Sequence, residues 1–350
     1  LVSGFSVRGA SVRDSNYFSL FSSEQVFFRH DVFLLYRGVF MNKTKIILDT
    51  DPGNDDLLAI IMALKSDLID IRGLTIVGGN ASLENTTNNA LSLLTYMGRM
   101  EVPVYVGDAS ALNESSTSPE EFDEFKSHRI EIHGETGLHV SLPKPSIRPR
   151  EMHAVDFIIN EAESNKGELI LVPIGPLTNI AMAIKKEPNL KNWVKGIHLM
   201  GGAVNVQGNV TEYAEFNIYC DPVAAGEVMA SGIGIKLCGL DITRETSVKR
   251  EETDWLGGNS PAEKVIRHLL DTVFRRFPDR DYFSLHDPIT VLSVLYPELI
   301  DWEMYDVSVV CTGSEFGKTI GTLNIDGTVE VGVNIDQELA KQKISQILST

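Results

Sequence analysis

From residue 45 onward, short apolar runs alternate with longer stretches in which apolar residues recur every three to four positions. The runs at 45–49, 71–77, 102–106, 169–173, 196–200 and 233–238 read as buried strands, and the stretches at 55–64, 84–97, 152–162, 177–184 and 221–230 read as helices. No Pro/Gly/Ser-rich linker separates two halves. The pattern therefore predicts an α/β fold, a single large domain with a central, mostly parallel sheet flanked by helices and a Rossmann-like core. Ser260-Pro261-Ala262-Glu263 is a capping box with proline at the first helical position, and Val265, Ile266, Leu269, Leu270, Val273 and Phe277 follow as one apolar stripe, predicting a helix over 261–277.

The first strand runs into Asp49-Thr50-Asp51-Pro52-Gly53-Asn54-Asp55-Asp56, four carboxylates in eight positions. Asp49 and Asp51 alternate at the strand's carboxyl end; Pro52-Gly53 make a turn; Asp55 and Asp56 start a helix, where free N–H groups and the dipole favour negative charge. Carboxylates this close repel one another, so the cluster implies a cation. With no His or Cys in it, oxygen ligation points to calcium or magnesium rather than zinc. The plain alternative is a capped helix with solvated surface charge, which suits Asp55 alone but not acids at the end of a buried strand. Ligands of open α/β sheets bind outside the carboxyl ends of the strands, and Asp51, Asn80, Ile174 and Met200 all fall there, so they are expected to line one pocket.

Charge and cysteine content narrow the partners. The formal net charge is −17, from 31 basic and 48 acidic residues, and no basic cluster interrupts it, which argues against nucleic acid. No apolar run reaches membrane-spanning length, so no membrane partner is expected. Cys220, Cys238 and Cys311 lack metal-like spacing and read as buried thiols in a reducing compartment, hence a cytoplasmic location. Residues 1–40 differ from the rest: Ser- and Phe-rich, with four Arg, three acids and no Lys. They are expected to be a disordered or non-native extension without a role in catalysis, with 41–350 as the catalytic domain. Organellar targeting fits less well because Asp14, Glu24 and Asp31 interrupt the segment.

The block DTDPGNDD resembles the amino-terminal signature of the nucleoside hydrolases, the inosine-uridine preferring N-ribohydrolase family, with Leu57 where that family usually has Ala. The resemblance continues in order along the chain: Thr75-Ile-Val-Gly-Gly-Asn80, Ile132-His133-Gly134, Val172-Pro-Ile174-Gly-Pro-Leu-Thr-Asn179-Ile-Ala, Leu199-Met200-Gly-Gly202, Gly208-Asn209, Ala214-Glu215-Phe216-Asn217 and Leu285-His286-Asp287-Pro288. It covers the chain from about Lys43 to the end. Ordered agreement of this extent is more specific than any single motif.

The resemblance implies a nucleoside hydrolase-like fold and hydrolysis of the N-glycosidic bond of ribonucleosides to free base and ribose through an oxocarbenium-like transition state. It implies Ca2+ held by Asp51, Asp56, Asp287 and the main-chain carbonyl of Ile174, with Asp51 also the general base toward a water made acidic by the ion. Asp55, Asn80 and Asn217 become partners of the ribose 2′ and 3′ hydroxyls, Asn209 and Glu215 of the 5′ hydroxyl, Met200 a further substrate contact, and Asp49 a support behind the acids. His286 is the expected acid for the departing base, since an imidazole titrating near neutrality can protonate it; the alternative is a histidine bonded for structure. His133 is a weaker contact, and Arg275, Arg276 and Tyr282 are candidates at the base. A His before the last metal aspartate resembles uridine- and inosine-preferring members, whereas purine-specific members tend to carry Trp. Family members are often homodimers or homotetramers, so a homo-oligomer is expected.

Two other classes compete. Asp49-Thr50-Asp51 also satisfies the DxD start of haloacid-dehalogenase-type phosphatases, with Asp49 as nucleophile, although that family expects Thr or Val where Gly53 stands. A non-catalytic nucleoside-binding protein on the same fold is the second.

Overall fold

The computed structural model describes residues 43–109, 111–112, 127, 129–256 and 258–350. The expectation for 1–40 lies outside them. Lys43–Thr350 forms one unit.

Its centre is a nine-stranded sheet in the order β10-β9-β11-β6-β5-β4-β1-β2-β3. The strands are β1 (Thr44–Thr50), β2 (Ile69–Ile76), β3 (Val104–Val106), β4 (Ile170–Pro173), β5 (Gly196–Met200), β6 (Ile235–Cys238), β9 (Ile300–Val309), β10 (Thr319–Leu323) and β11 (Val329–Ile335). From β3 to β11 every pairing is parallel, and β9 then runs antiparallel to both β11 and β10. Strands β3-β2-β1-β4-β5-β6 reproduce the doubly wound order, whose direction of progression reverses between β1 and β4. A crevice opens outside the strand ends at such a reversal. Asp51 follows β1 and Ile174 follows β4, so the chain delivers both to it.

The helices are α1 (Asn54–Lys65), α2 (Leu83–Met97), α3 (Ala154–Ser164), α4 (Thr178–Lys186), α5 (Leu190–Trp193), α6 (Phe216–Cys220), α7 (Pro222–Met229), α8 (Leu240–Thr243), α9 (Pro261–Arg276), α10 (His286–Leu295) and α11 (Gln337–Ser349). Side chains of β1 alternate between two layers. Ile46 and Leu48 pack with α1, α9, α10 and α11, while Ile47 packs with α3, α4 and α7 on the other face. This two-sided burial explains why the strands read as continuous apolar runs. The capping box of α9 forms as expected, Ser260 Oγ accepting from Glu263 N at 3.3 Å while Glu263 Oε2 accepts from Ser260 N at 3.0 Å. α2 ends on Gly98 with φ 68, a left-handed cap that only glycine adopts without strain.

The predicted helices and strands all form, with ends shifted by a few residues. The pattern missed a small antiparallel ribbon, β7 (Ser247–Lys249) with β8 (Tyr282–Ser284), and the antiparallel β9–β10 edge. Of the cysteines expected to be buried only Cys238 is; Cys220 and Cys311 are half-buried, and all three are free thiols. Among the described residues no helix is long and apolar enough to cross a membrane.

Candidate active site

The floor of the crevice is built from the end of β1 and the start of α1. Asp49, Asp51 and Asp56 are each 0% exposed. Asp49 Oδ1 accepts from Thr75 Oγ1 at 2.5 Å and from Asn179 Nδ2 at 2.9 Å. Burial still pushes its carboxyl up to about 7. Asp56 is the most satisfied of the acids, accepting from Thr50 Oγ1 at 2.6 Å, Gly53 N at 2.9 Å and Asn80 Nδ2 at 2.8 Å. Its bond to Gly53 N closes the turn into α1, so one side chain both caps the helix and lines up the acids.

Asp51 differs. Its Oδ2 accepts from Asn80 N at 2.6 Å, while its buried Oδ1 meets no donor among the described residues. Burial first, and the neighbouring Asp56 second, push this carboxyl well above the usual range. Two glycines make room for it: a Cβ on Gly79 would collide with Asp51 Oδ2, and one on Gly175 with Oδ1. Gly79 follows β2 and Gly175 follows β4, the two strands that flank β1, so backbone closes around this side chain from two sides.

Asp55, Asp56 and Asp287 each offer a carboxylate oxygen, and the three oxygens lie within 4.8 Å of one another. Burial and then mutual repulsion raise Asp287 well above its ordinary value, and burial with Asp56 raises Asp55 to about 7. Such a cluster is stable as carboxylates only around a positive charge. With the orphaned Asp51 Oδ1 and an all-oxygen donor set, the acids fit a hard cation. The gathered trio contains Asp55, whereas the resemblance placed Asp51 in the set; Asp51 stands beside the trio, close enough for Asp56 and Asp55 to raise its carboxyl.

Around this floor stand fixed amides. Asn80 Nδ2 donates to the Asp51 carbonyl at 3.2 Å. Asn217 Nδ2 donates to the carbonyls of Ile174 at 3.0 Å and Met200 at 3.2 Å. Glu215, 1% exposed, caps α6 by accepting from Asn217 N at 3.0 Å and Ile218 N at 3.1 Å, and also accepts from Gly202 N at 2.9 Å. Its carboxyl is nonetheless pushed up to about 7 by burial. Asn209 Oδ1 accepts from Phe216 N at 2.9 Å, tying the loop after β5 to α6.

α10 packs on α1 and β5 and presents His286 and Asp287 from its first turn. His286 Nδ1 lies 2.9 Å from Thr243 Oγ1. Burial, helped by Arg244 and Arg280, lowers this imidazole to about 4, so it is neutral at pH 7 instead of titrating near neutrality. A neutral imidazole still donates one N–H to a departing base.

These groups surround one cavity of about 340 Å³. Asp55, Asn80, His133, Ile174, Met200, Asn209, Glu215, Asn217, His286 and Asp287 all line it, while Asp51 and Asp56 stand behind its wall. Of the base-side candidates Tyr282 lines it; Arg275 turns back onto Asp271 and Thr272, and Arg276 lies over Phe277. Arg129, His139 and Arg244, not singled out in the sequence, complete the wall together with Arg280 and with Phe277 from the predicted apolar stripe. Arg129 and His139 flank the Ile132-His133-Gly134 motif and Arg280 follows α9, whereas Arg244, which follows α8, had no such signal. Asn179, which bridges Asp49, the Ile76 carbonyl at 3.1 Å and Asp108 N at 3.0 Å, was visible only as part of a matching block.

The family model of the inosine-uridine preferring nucleoside hydrolases matches residues 46–342. The chain belongs to this family. It is 40% identical over 260 residues to the pyrimidine-specific ribonucleoside hydrolase RihA of Shewanella woodyi, covering 73% of this chain and 80% of that protein. It is 36% identical over 310 residues to RihB of Escherichia coli, another pyrimidine-specific ribonucleoside hydrolase, covering 85% and 95%. Among solved structures, the plant nucleoside hydrolase PpNRh1 superposes with a TM-score of 0.79 at 32% identity, covering 88% of this chain and all (100%) of that one. The purine-preferring ribonucleoside hydrolase of Gardnerella vaginalis superposes at 0.80 and 33% identity, covering 87% and 98%. As a nucleoside hydrolase family member the chain is not a dehalogenase-type phosphatase, and Asp49, sealed behind Thr75 and Asn179, has no access to a phosphate.

Proposed function

We propose that this protein hydrolyses the N-glycosidic bond of ribonucleosides, with uridine and inosine preferred, and that residues 41–350 carry the activity with calcium as the resident ion. The observation that carries the reading is the unpartnered, fully buried Oδ1 of Asp51 beside three clustered carboxylates, at the floor of a cavity walled by fixed amides.

Asp51, Asp56, Asp287 and the Ile174 carbonyl would hold the ion, with Asp55 in reach of it. When bound, the ion neutralises the clustered acids and lowers the pKa of water at the site. Asp51 Oδ1 takes the proton of the attacking water, its carboxylate held in aim by Asn80 N and the two glycines. Asp55, Asn80 and Asn217 orient the 2′ and 3′ hydroxyls, and Asn209 and Glu215 the 5′ hydroxyl. Met200 packs beneath the sugar, and the carboxylates favour positive charge growing on the ring. His133 stands 5.8 Å, ring to ring, from Phe216 and adds a contact at the wall. His286 donates a hydrogen bond to the leaving base.

The preference for uridine and inosine rests on His286 before Asp287, and the pyrimidine-specific relatives support the uridine half. Three free cysteines support a reducing compartment, the cytoplasm, and the family supports a homodimer or homotetramer. A reducing-sugar assay across uridine, cytidine, inosine, adenosine and guanosine, with and without chelator, tests the reading. Ribose release from uridine that stops on chelation is expected. Binding of nucleosides in calcium without release of base would instead make this a non-catalytic binder.

A further inference from the structure

Arg250 follows β7 and does not line the cavity, yet its side chain is committed to the segment that does. Nη1 donates to the Phe274 carbonyl at 3.0 Å, and Nη2 is shared among the carbonyls of Phe277 at 3.1 Å, Pro278 at 2.9 Å and Arg280 at 2.7 Å. The guanidinium carbon lies 4.9 Å from the centre of the Phe274 ring. The Arg250 main-chain N–H donates to Asp281 O at 2.8 Å, extending by one residue the β7–β8 ladder that pairs Lys249 with Tyr282. Among the described residues Arg250 forms no ion pair with a carboxylate.

Every one of those contacts restrains the passage from the end of α9 into β8. Phe274 and Phe277 carry carbonyls at the carboxyl end of α9, where a cation is favoured by the dipole, and the Phe277 carbonyl also accepts from Arg280 N at 3.0 Å in the turn that follows. Pro278 adds no N–H of its own to a local turn. The same passage supplies Phe277, Arg280, Tyr282, Phe283 and Ser284 to the cavity wall and leads directly into His286 and Asp287. Ribose-side candidates sit on other elements: Asp55 on α1, Asn80 after β2, and Glu215 and Asn217 at α6. One planar fork thus holds a stretch of wall that carries none of the ribose-side groups, a task that a single ammonium performs poorly because its donors radiate from one point.

We propose that Arg250 is a positioning residue for the base side of the site: it sets the α9–β8 passage so that its side chains meet the nucleobase, and it acts without touching substrate. The inference rests on the nucleoside hydrolase reading for its kinetic test but not for its structural one.

Full-length, calcium-loaded protein, R250A and R250K would be compared in three measurements. Steady-state kinetics with uridine and inosine should show KM raised about tenfold in R250A and less in R250K, with the ratio of the two substrates' kcat/KM altered. Inhibition by free D-ribose should be unchanged, and millimolar guanidinium should restore part of the KM in R250A. Amide hydrogen exchange should accelerate in peptides covering 277–284 and nowhere else; R250K carries the test if R250A fails to fold. Unchanged exchange in 277–284, or loss of ribose affinity in step with nucleoside affinity, overturns the proposal. If wild-type protein releases no ribose, the proposed function fails, and hydrogen exchange still decides the role of Arg250.

Discussion

The main-chain N–H of Asn80 donates to Oδ2 of Asp51 at 2.6 Å and leaves Oδ1, equally buried, facing no donor among the described residues. One oxygen is fixed and the other is free for chemistry. Asp51→Asn keeps the shape but removes the proton acceptor. Its kcat on uridine should fall by about 10³-fold or more while uridine binding, measured by calorimetry with calcium present, persists. An unchanged rate would remove Asp51 from the mechanism.

Gly175 gives a second handle on the same carboxylate. A methyl group there would meet Oδ1 itself, and the surroundings of both are too closely packed to yield. Gly175→Ala should therefore lower kcat by about 10²-fold, since displacement of about 1 Å suffices for such a loss. Equal rates for variant and wild type would show that Asp51 has more freedom than its packing implies.

Much of this site was legible before the fold was known, and the reason is local. Asp49 to Asp56 sit on one strand, one turn and one helix start, so their spacing alone brought the acids together. Positions such as Asn80, Asn217 and His286 lie far apart in sequence, and only ordered motifs linked them. Arg129 and Arg244 carry no such mark, because which charged side chain turns inward depends on loops whose conformation no periodicity encodes. The β7–β8 ribbon escaped for the same reason: its strands are three residues each, too short for a period to register. His286 lines the cavity, but its downward titration needs the burial that only the packed α10 reveals.

Removing the ion should cost both activity and stability. Asp55, Asp56 and Asp287 converge within 4.8 Å, so withdrawing positive charge leaves repulsion in a buried site. Excess chelator should abolish ribose release, and calcium should restore it. Calcium at about a hundred times its Kd should add about 2.7 kcal/mol of stability, visible as a rise in Tm. Asp287→Asn should weaken that rise, and a Tm indifferent to calcium would argue against an ion at this trio.

His286→Ala tests the departing base. Loss of one directed N–H should lower kcat on uridine by about 10²-fold. A riboside with an activated leaving group, such as 4-nitrophenyl riboside, needs no such help and should lose far less. Parallel losses on both substrates would assign His286 to holding Asp287 instead.

His198 offers a pH test independent of the acids. It lies on β5, 9% exposed, with Nδ1 2.7 Å from Ser293 Oγ on α10, and burial, helped by Lys236 and Lys195, lowers it to about 3 from an ordinary 6.5. The folded state therefore binds fewer protons than the unfolded state between those values. The contribution is fully present above pH 6.5 and is lost progressively as pH falls from there toward 3, on the order of a few kcal/mol in all. His198→Asn can keep a partner for Ser293 without gaining charge in acid. Denaturant unfolding should show that the variant loses less stability than wild type between pH 6.5 and 4.5, and identical slopes would mean that His198 does not charge on unfolding in that range.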